Sequence, residues 1–402
     1  MNGPRQPDVV CLSPNDWTGL PTSKQHLASV LSRTGRVLYV DPPMDVASVL
    51  GRPRRWAKLR ALRRPAGGPW VLSSVALSAG SSPDGRAEFY RRAAPRIRSA
   101  ARRVGIADPV AWAFAPEHVG LSGLLGESLL VYHAADEPSA MSRHPEAMSR
   151  LESGMLAAAD LVFVSSQALL DARARTGKAH RLPNAADRMH YARTLCGDPS
   201  APARELLAAA TRPRHTPAGL RSAGRPVLLY GGAAYKWFDS ELLLRVAAMH
   251  PEWLFVLVGP VGKALRGGPL PANVLAVGRK RYSEFPWYVA AADVAIMPWR
   301  ADPFTRHADP IVLYELLLCG KPVVATPFPA ALERGPLVRT ASGPEAFAEA
   351  VKDAISEPRD SEIAAARVAF GVSNTWEDRA ATALALIADA AAVRRSARGG
   401  AD

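Results

Sequence analysis

Short, continuous apolar runs alternate with helix-forming stretches along both halves of this chain, and no other feature limits its fold as much. In the first half the runs are DVVCLS (8–13), RVLYVDPP (36–43), PVAWAFA (109–115), LLVYHAAD (129–136) and LVFVSS (161–166). In the second half they are PVLLYGG (226–232), LFVLVGP (254–260), NVLAVG (273–278), VAIMPW (294–299) and PVVATP (322–327). Strands covered on both faces read this way, whereas a strand with one wet face alternates apolar and polar residues. Helical stretches lie between them, such as SKQHLASVLSRTG (23–35), where Ser23 is a cap and Gly35 a stop. Strands separated by helices form βαβ units in parallel sheets. Two such series predict an α/β protein with two Rossmann-like doubly wound domains. A chain of 402 residues is long enough to give each a core.

Composition narrows the partners. Fifty basic against 37 acidic residues leave a formal charge of +13, which favours anions such as nucleotides or lipid headgroups. The charge is concentrated in GRPRRWAKLRALRR (51–64) and RRAAPRIRSAARR (91–103), read either as solvated faces or as helices lying on an anionic membrane surface. No stacking-aromatic pattern accompanies the charge, so nucleic acid is not expected as a partner. Cys11, Cys196 and Cys319 give neither a disulfide framework nor a zinc spacing, which fits a reducing compartment. No run of 18 apolar residues predicts a membrane span, and the N-terminal apolar run is too brief for a signal segment. The expected location is cytoplasmic.

One carboxylate stands out. In RHADPIVLYELLLCGKPVVAT (306–326) Glu315 interrupts an apolar helix that begins at Asp309-Pro310 and ends at Cys319-Gly320. Asp309 is read as its N-cap, Pro310 as its first residue and Gly320 as its left-handed terminator. A carboxylate among apolar residues loses hydration and needs a partner. Ligands of open parallel sheets gather beyond the C-terminal strand ends. There the chain offers a glycine turn at Gly231 and Gly232 followed by Lys236, the segment Thr305, Arg306 and His307, and Arg279 to Tyr282. A diphosphate fits the helix tip at the amides near Ile311, Val312 and Leu313, with Lys236 adding charge. Glu315 then accepts hydrogen bonds from a ribose. Its plain alternative is a carboxylate paired with a lysine.

Taken together, these residues and their order give the chain a family resemblance. It resembles GT-B-fold glycosyltransferases of the group 1, GT4-like kind, similar to bacterial cell-surface polysaccharide enzymes such as the teichuronic-acid-type transferases and the xanthan glucuronosyltransferase type. LLYGGAAYKWFDSELLLRVAAMHPEWLFVLVGP (228–260), NVLAVGRKRYSEFPWYVAAADVAIMPW (273–299) and TRHADPIVLYELLLCGKPVVAT (305–326) carry the resemblance in the second half. LSPNDWTGLPTSKQHLASVLSRTGRVLYVDPP (12–43), LVYHAADEPSAM (130–141) and ADLVFVSSQALLDARARTGKAHRLPNAAD (159–187) carry it in the first. The resemblance implies an acceptor-binding domain at 1–190, a linker at 191–224 and a nucleotide-sugar domain at 225–372. A helix at 373–402 would return to the first domain and end in a basic tail, with the two domains facing each other. It implies that Glu315 binds the donor ribose, the adjoining helix start the diphosphate, and the Arg279–Tyr282 loop the nucleobase. Two positions depart from the pattern: Val312 stands where many relatives have lysine, and His307 where they have a first glutamate. The candidate catalytic base is Asp136, followed by Glu137 and His133. No metal or cofactor is expected, only a nucleotide-diphosphate sugar as donor and a glycan, glycolipid or small-molecule acceptor. The alternatives are a natural-product transferase, a nucleotide-sugar epimerase and a non-catalytic nucleotide-sugar-binding protein.

Overall fold

The structure is a computed structural model that describes residues 6–45, 62–76, 80, 82–220, 224–265 and 267–399. It divides into two compact units, one formed by residues 1–183 and 376–402 and the other by residues 184–375.

In the first unit the predicted runs become β1 (Val9–Leu12), β2 (Val37–Val40), β7 (Val110–Ala113), β8 (Leu129–Ala134) and β9 (Leu161–Val164). The short strands β3 (Met44–Asp45), β4 (Leu62–Arg63), β5 (Trp70–Leu72), β6 (Val75–Ala76) and β10 (Ala179–Arg181) complete the set. The main sheet has the order β10-β9-β8-β7-β1-β2-β5-β4, parallel except for β4 against β5. Val9 to Leu12 and Leu129 to Tyr132 are all buried, because helices cover both faces. Helix α1 (Ser23–Leu31) starts one residue earlier than expected: Thr22 rather than Ser23 is the N-cap, and its backbone amide donates to Gln25 Oε1 at 3.0 Å.

The basic stretch 91–103 lies in α2 (Pro83–Arg103), whose Tyr90, Ala94, Ile97 and Ala100 are buried in the core of this unit. The apolar face of α2 is thus covered by the core, which leaves any contact with an anionic surface to its charges. What remains outside is a row of exposed arginines at 91, 92, 96, 98, 102 and 103. Of the other basic stretch, residues 51–61 lie outside the described residues. Arg63 is taken by the fold, donating to Ser73 Oγ at 2.6 Å and pairing with Asp41 at 3.2 Å.

The second unit has the all-parallel order β13-β12-β11-β14-β15-β16. These are β11 (Val227–Gly231), β12 (Leu254–Val258), β13 (Val274–Gly278), β14 (Val294–Met297), β15 (Val323–Ala325) and β16 (Val338–Thr340). The stretch 191–224, expected to be a linker, instead belongs to this unit. It supplies most of α3 (Arg188–Cys196) and all of α4 (Ala203–Thr211), whose Tyr191, Leu195, Leu206 and Ala210 join the core. Its Pro, Ala and Arg content masks this stripe of apolar residues at helical spacing. Among the described residues, no helix is long and apolar enough to cross a membrane. The last helix, Trp376–Gly399, lies in the first unit, where Trp376 stacks on His26 of α1 at 5.0 Å.

Candidate active site

Each sheet has a point where the chain reverses its direction of winding, and ligands of such sheets collect beyond the strand ends there. In the first unit that point lies between β1 and β7. A cavity of about 530 Å³ is found there, lined by Asn15 after β1, Phe114 and Glu117 after β7, Asp136 after β8, and Lys24 near the start of α1. Asp136 is half-buried.

The other two candidate bases are drawn elsewhere, and the structure corrects both. Glu137 pairs with the buried Arg173 at 3.1 Å, and Arg173 also holds Glu152 at 2.6 Å. That charge-assisted pairing is worth more to a buried guanidinium than an idle carboxylate in the cavity. His133 is 2% exposed and packed among Trp112, Phe114 and Phe163. Burial pushes its pKa down to about 3, with the Lys24 charge acting in the same direction, so it stays neutral and sealed from substrate.

In the second unit the winding reverses between β11 and β14. Helix α5, Ile311–Leu318, starts beside the end of β11. A Cβ on Gly231 would come within 3.2 Å of Val312 and 2.4 Å of the Phe285 ring, so only glycine lets the strand end and the helix tip approach this closely. The neighbouring loop is equally tight. Gly259 has φ +143°, and a Cβ there would lie 2.0 Å from the carbonyl oxygen of Gly232. Gly259→Ala is therefore expected to lower stability by about 1–3 kcal/mol through overpacking and backbone strain, measurable by urea unfolding.

The residues predicted around the helix tip divide. The amides of Ile311 and Val312 open the helix, where the intrahelical ladder supplies no acceptor. Leu313 N–H is already bonded to Pro310 O at 3.1 Å. Pro310 is the N-cap rather than the first helical residue, and Asp309 does not cap. The Asp309 carboxylate instead accepts from the Asn184 amide at 2.7 Å and the Tyr314 hydroxyl at 3.0 Å, and pairs with Arg334 at 3.3 Å. Three donors, one of them charged, outweigh a single capping bond. Thr305 is also structural, its hydroxyl donating to Arg300 O at 2.7 Å. Arg306, Lys236 and Arg279 are exposed, and His307 Nδ1 lies 2.8 Å from Pro303 O.

Glu315 is 4% exposed and forms no ion pair among the described residues, which removes the lysine alternative. The hydroxyl of Tyr282 donates to its Oε1 at 2.8 Å, and the buried Tyr191 lies beside the same carboxylate. His190 stacks on Tyr282 at 4.3 Å with the rings 13° apart. Tyr191 and His190 were missed because their segment was divided between the first domain and the linker. Asp187 as an N-cap and Gly197 as a left-handed stop are visible in the sequence and mark α3 as a helix.

Burial, and then the nearby Asp187 charge, push the Glu315 pKa up from 4.5 to about 7, against the lowering by Tyr282 and Tyr191. The folded protein thus keeps this proton to higher pH than the unfolded chain. The corresponding stability is present below pH 4.5 and lost as pH rises to about 7, leaving a cost of about 3 kcal/mol for the ionised form. Glu315→Gln is expected to melt higher than the unmodified protein at pH 8, and the difference should shrink at pH 5. Thermal melts at the two pH values check this. A side chain kept at such a cost to stability points to use rather than packing.

Comparison with known proteins places this geometry in context. Residues 225–357 match the profile of a family described as glycosyl transferases, group 1. The chain is 33% identical over 111 residues to the putative teichuronic acid biosynthesis glycosyltransferase TuaH of Bacillus subtilis (strain 168). That match spans 26% of this chain and 27% of the relative. The fold is similar to sucrose-phosphate synthase from Thermosynechococcus elongatus, with a TM-score of 0.69, 17% identity, and 97% of this chain and 100% of that one covered. It is also similar to Anabaena Alr3699/HepE in complex with UDP and glucose, with a TM-score of 0.63, 17% identity and coverage of 94% and 99%. A third neighbour is the trehalose 6-phosphate synthase of Burkholderia multivorans, with a TM-score of 0.65, 13% identity and coverage of 96% and 100%.

Proposed function

We propose that this chain, a GT-B group 1 glycosyl transferase by its fold and by the match of residues 225–357, transfers a sugar from a nucleotide-diphosphate donor to an acceptor hydroxyl. The process served is cell-surface glycan assembly. The observation that carries the reading is Glu315: a buried carboxylate with no ion pair among the described residues, on the helix whose Val312 side chain packs against the end of β11 at the winding reversal. In this reading Glu315 accepts from the ribose hydroxyls, and Tyr282 yields its bond to them. The diphosphate rests on the amides of Ile311 and Val312, where the helix dipole and the exposed Lys236 and Arg306 stabilise the leaving group without a metal. His307 and the loop Arg279–Tyr282 border the donor. Asp136 removes the proton from the acceptor hydroxyl in the first unit. The relative in teichuronic acid biosynthesis and the UDP-bound neighbour support the substrate class.

Peripheral attachment at the cytoplasmic membrane face is part of the reading, through the exposed arginines of α2. The protein is expected to sediment with phosphatidylserine vesicles and to be released as salt rises, because the contact is electrostatic rather than inserted. Sedimentation unaffected by salt, or none with anionic vesicles, would count against it.

The function itself is tested by incubating the protein with a panel of nucleotide-diphosphate sugars and glycan acceptors and following release of nucleoside diphosphate. Acceptor-dependent release is expected with one donor. Tight nucleotide binding with no release from any pair would point to the non-catalytic alternative.

A further inference from the structure

Lys24 is a buried charge of the first unit that the proposed reaction does not use. Its side chain lines the cavity at the β1–β7 reversal, yet the residue is only 8% exposed. Among the described residues its ammonium makes no hydrogen bond or ion pair. The groups that favour its charge include the Asp136 carboxylate, which forms no ion pair with it, and the face of the Phe114 ring at 5.9 Å. Burial lowers its pKa, with Asp136 and then Cys11 opposing the shift, so the charge is held at a cost.

The position adds to that cost. Lys24 lies in the first turn of α1, which contains no acidic residue, at the positive end of the helix dipole. A buried cation at a helix N-terminus is unfavourable twice over, and Thr22 and Gln25 satisfy each other rather than the lysine. The rest of the lining does not supply the missing negative charge. Glu117 is already paired with Arg86 at 2.7 Å, and Arg143 adds a further cation. Beside this polar pole the wall is apolar, formed by Phe114, Met141 and Met148 among others.

We propose that the cavity takes an acceptor bearing an oxyanion, a carboxylate or a phosphate, with Lys24 as its seat and Phe114 against the sugar face. An anion there meets the unpaired ammonium directly. The assignment rests on the transferase reading for calling this molecule the acceptor, but the anion seat is tested without turnover.

Glucuronate, glucose 6-phosphate and glucose are titrated calorimetrically into the full-length protein held in excess uridine diphosphate, so that the phosphate-binding end of the second unit is occupied. One of the two anionic sugars is expected to bind at least about tenfold more tightly than glucose, and which one it is tells carboxylate from phosphate. Lys24→Met keeps the length and packing of the side chain, and should bring that sugar down to the affinity of glucose while uridine diphosphate binds as before. Equal affinities for the three sugars, no detectable binding of either anion, or a charge preference that survives in Lys24→Met would overturn the proposal. If the preference is present and depends on Lys24 but no nucleotide sugar is ever turned over, the transferase reading fails and the anion seat stands.

Discussion

Asp136→Asn is expected to lower glycosyl transfer by about 10²–10⁴-fold, the usual contribution of a positioned general base. The loss should fall on kcat and leave nucleoside diphosphate affinity unchanged, because the proposed donor site lies in the other unit. Asparagine keeps the shape of the side chain at the end of β8 but cannot accept a proton. Of the three groups ranked from sequence, Asp136 alone lines the cavity at the β1–β7 reversal, whereas Glu137 is committed to Arg173 and His133 is enclosed by aromatic rings. Steady-state rates with the acceptor varied, alongside donor titrations, separate the two parameters. A variant that turns over at the rate of the unmodified protein would remove Asp136 from the chemistry and leave it as a lining residue.

Lys321→Ala is expected to cost about 3–5 kcal/mol of stability without touching either proposed ligand. The Lys321 ammonium donates to the carbonyls of Ala210 at 2.9 Å and of Ala290 and Ala292 at 2.8 Å each. It thereby fastens α4 to the segment that enters β14. The side chain is 5% exposed, and burial lowers its pKa to about 8. Removing it leaves three buried carbonyls without a donor, each worth about 1–3 kcal/mol and not fully additive. Lys321→Met preserves the volume and should lose nearly as much in denaturant titrations, since the bonds rather than the packing are at stake. A loss below about 1 kcal/mol in both variants would mean that water replaces the ammonium.

The same residue illustrates what was legible in the sequence. Val323 to Ala325 was readable as a buried strand and Gly320 as a left-handed terminator, with φ +67°, because both depend on local pattern. The bonds of Lys321 join residues up to 111 positions apart and leave no local trace. Asp309 failed for that reason: Asp-Pro before an apolar helix is a sound start signal, but Asn184 and Arg334 compete for the carboxylate from afar. Strands β10 and β16 were overlooked because each has three residues, some of them polar, at a sheet edge. Glu315 was legible because an acid in an apolar helix is anomalous wherever the chain goes. Its partner Tyr282 appeared in the sequence only as part of a neighbouring loop, with no sign that its hydroxyl points at the carboxylate.

The account depends most on what Glu315 grips, and one calorimetric comparison reaches that point. The nucleoside diphosphate bound best by the protein is titrated beside its 2′,3′-dideoxy counterpart, into the unmodified protein and into Glu315→Ala. The ribose form is expected to bind more tightly to the unmodified protein by about 1–3 kcal/mol, the worth of hydrogen bonds to a buried carboxylate. Glu315→Ala should bind both forms alike. An unmodified protein indifferent to the missing hydroxyls, or a variant that still prefers the ribose, would contradict the donor site described above.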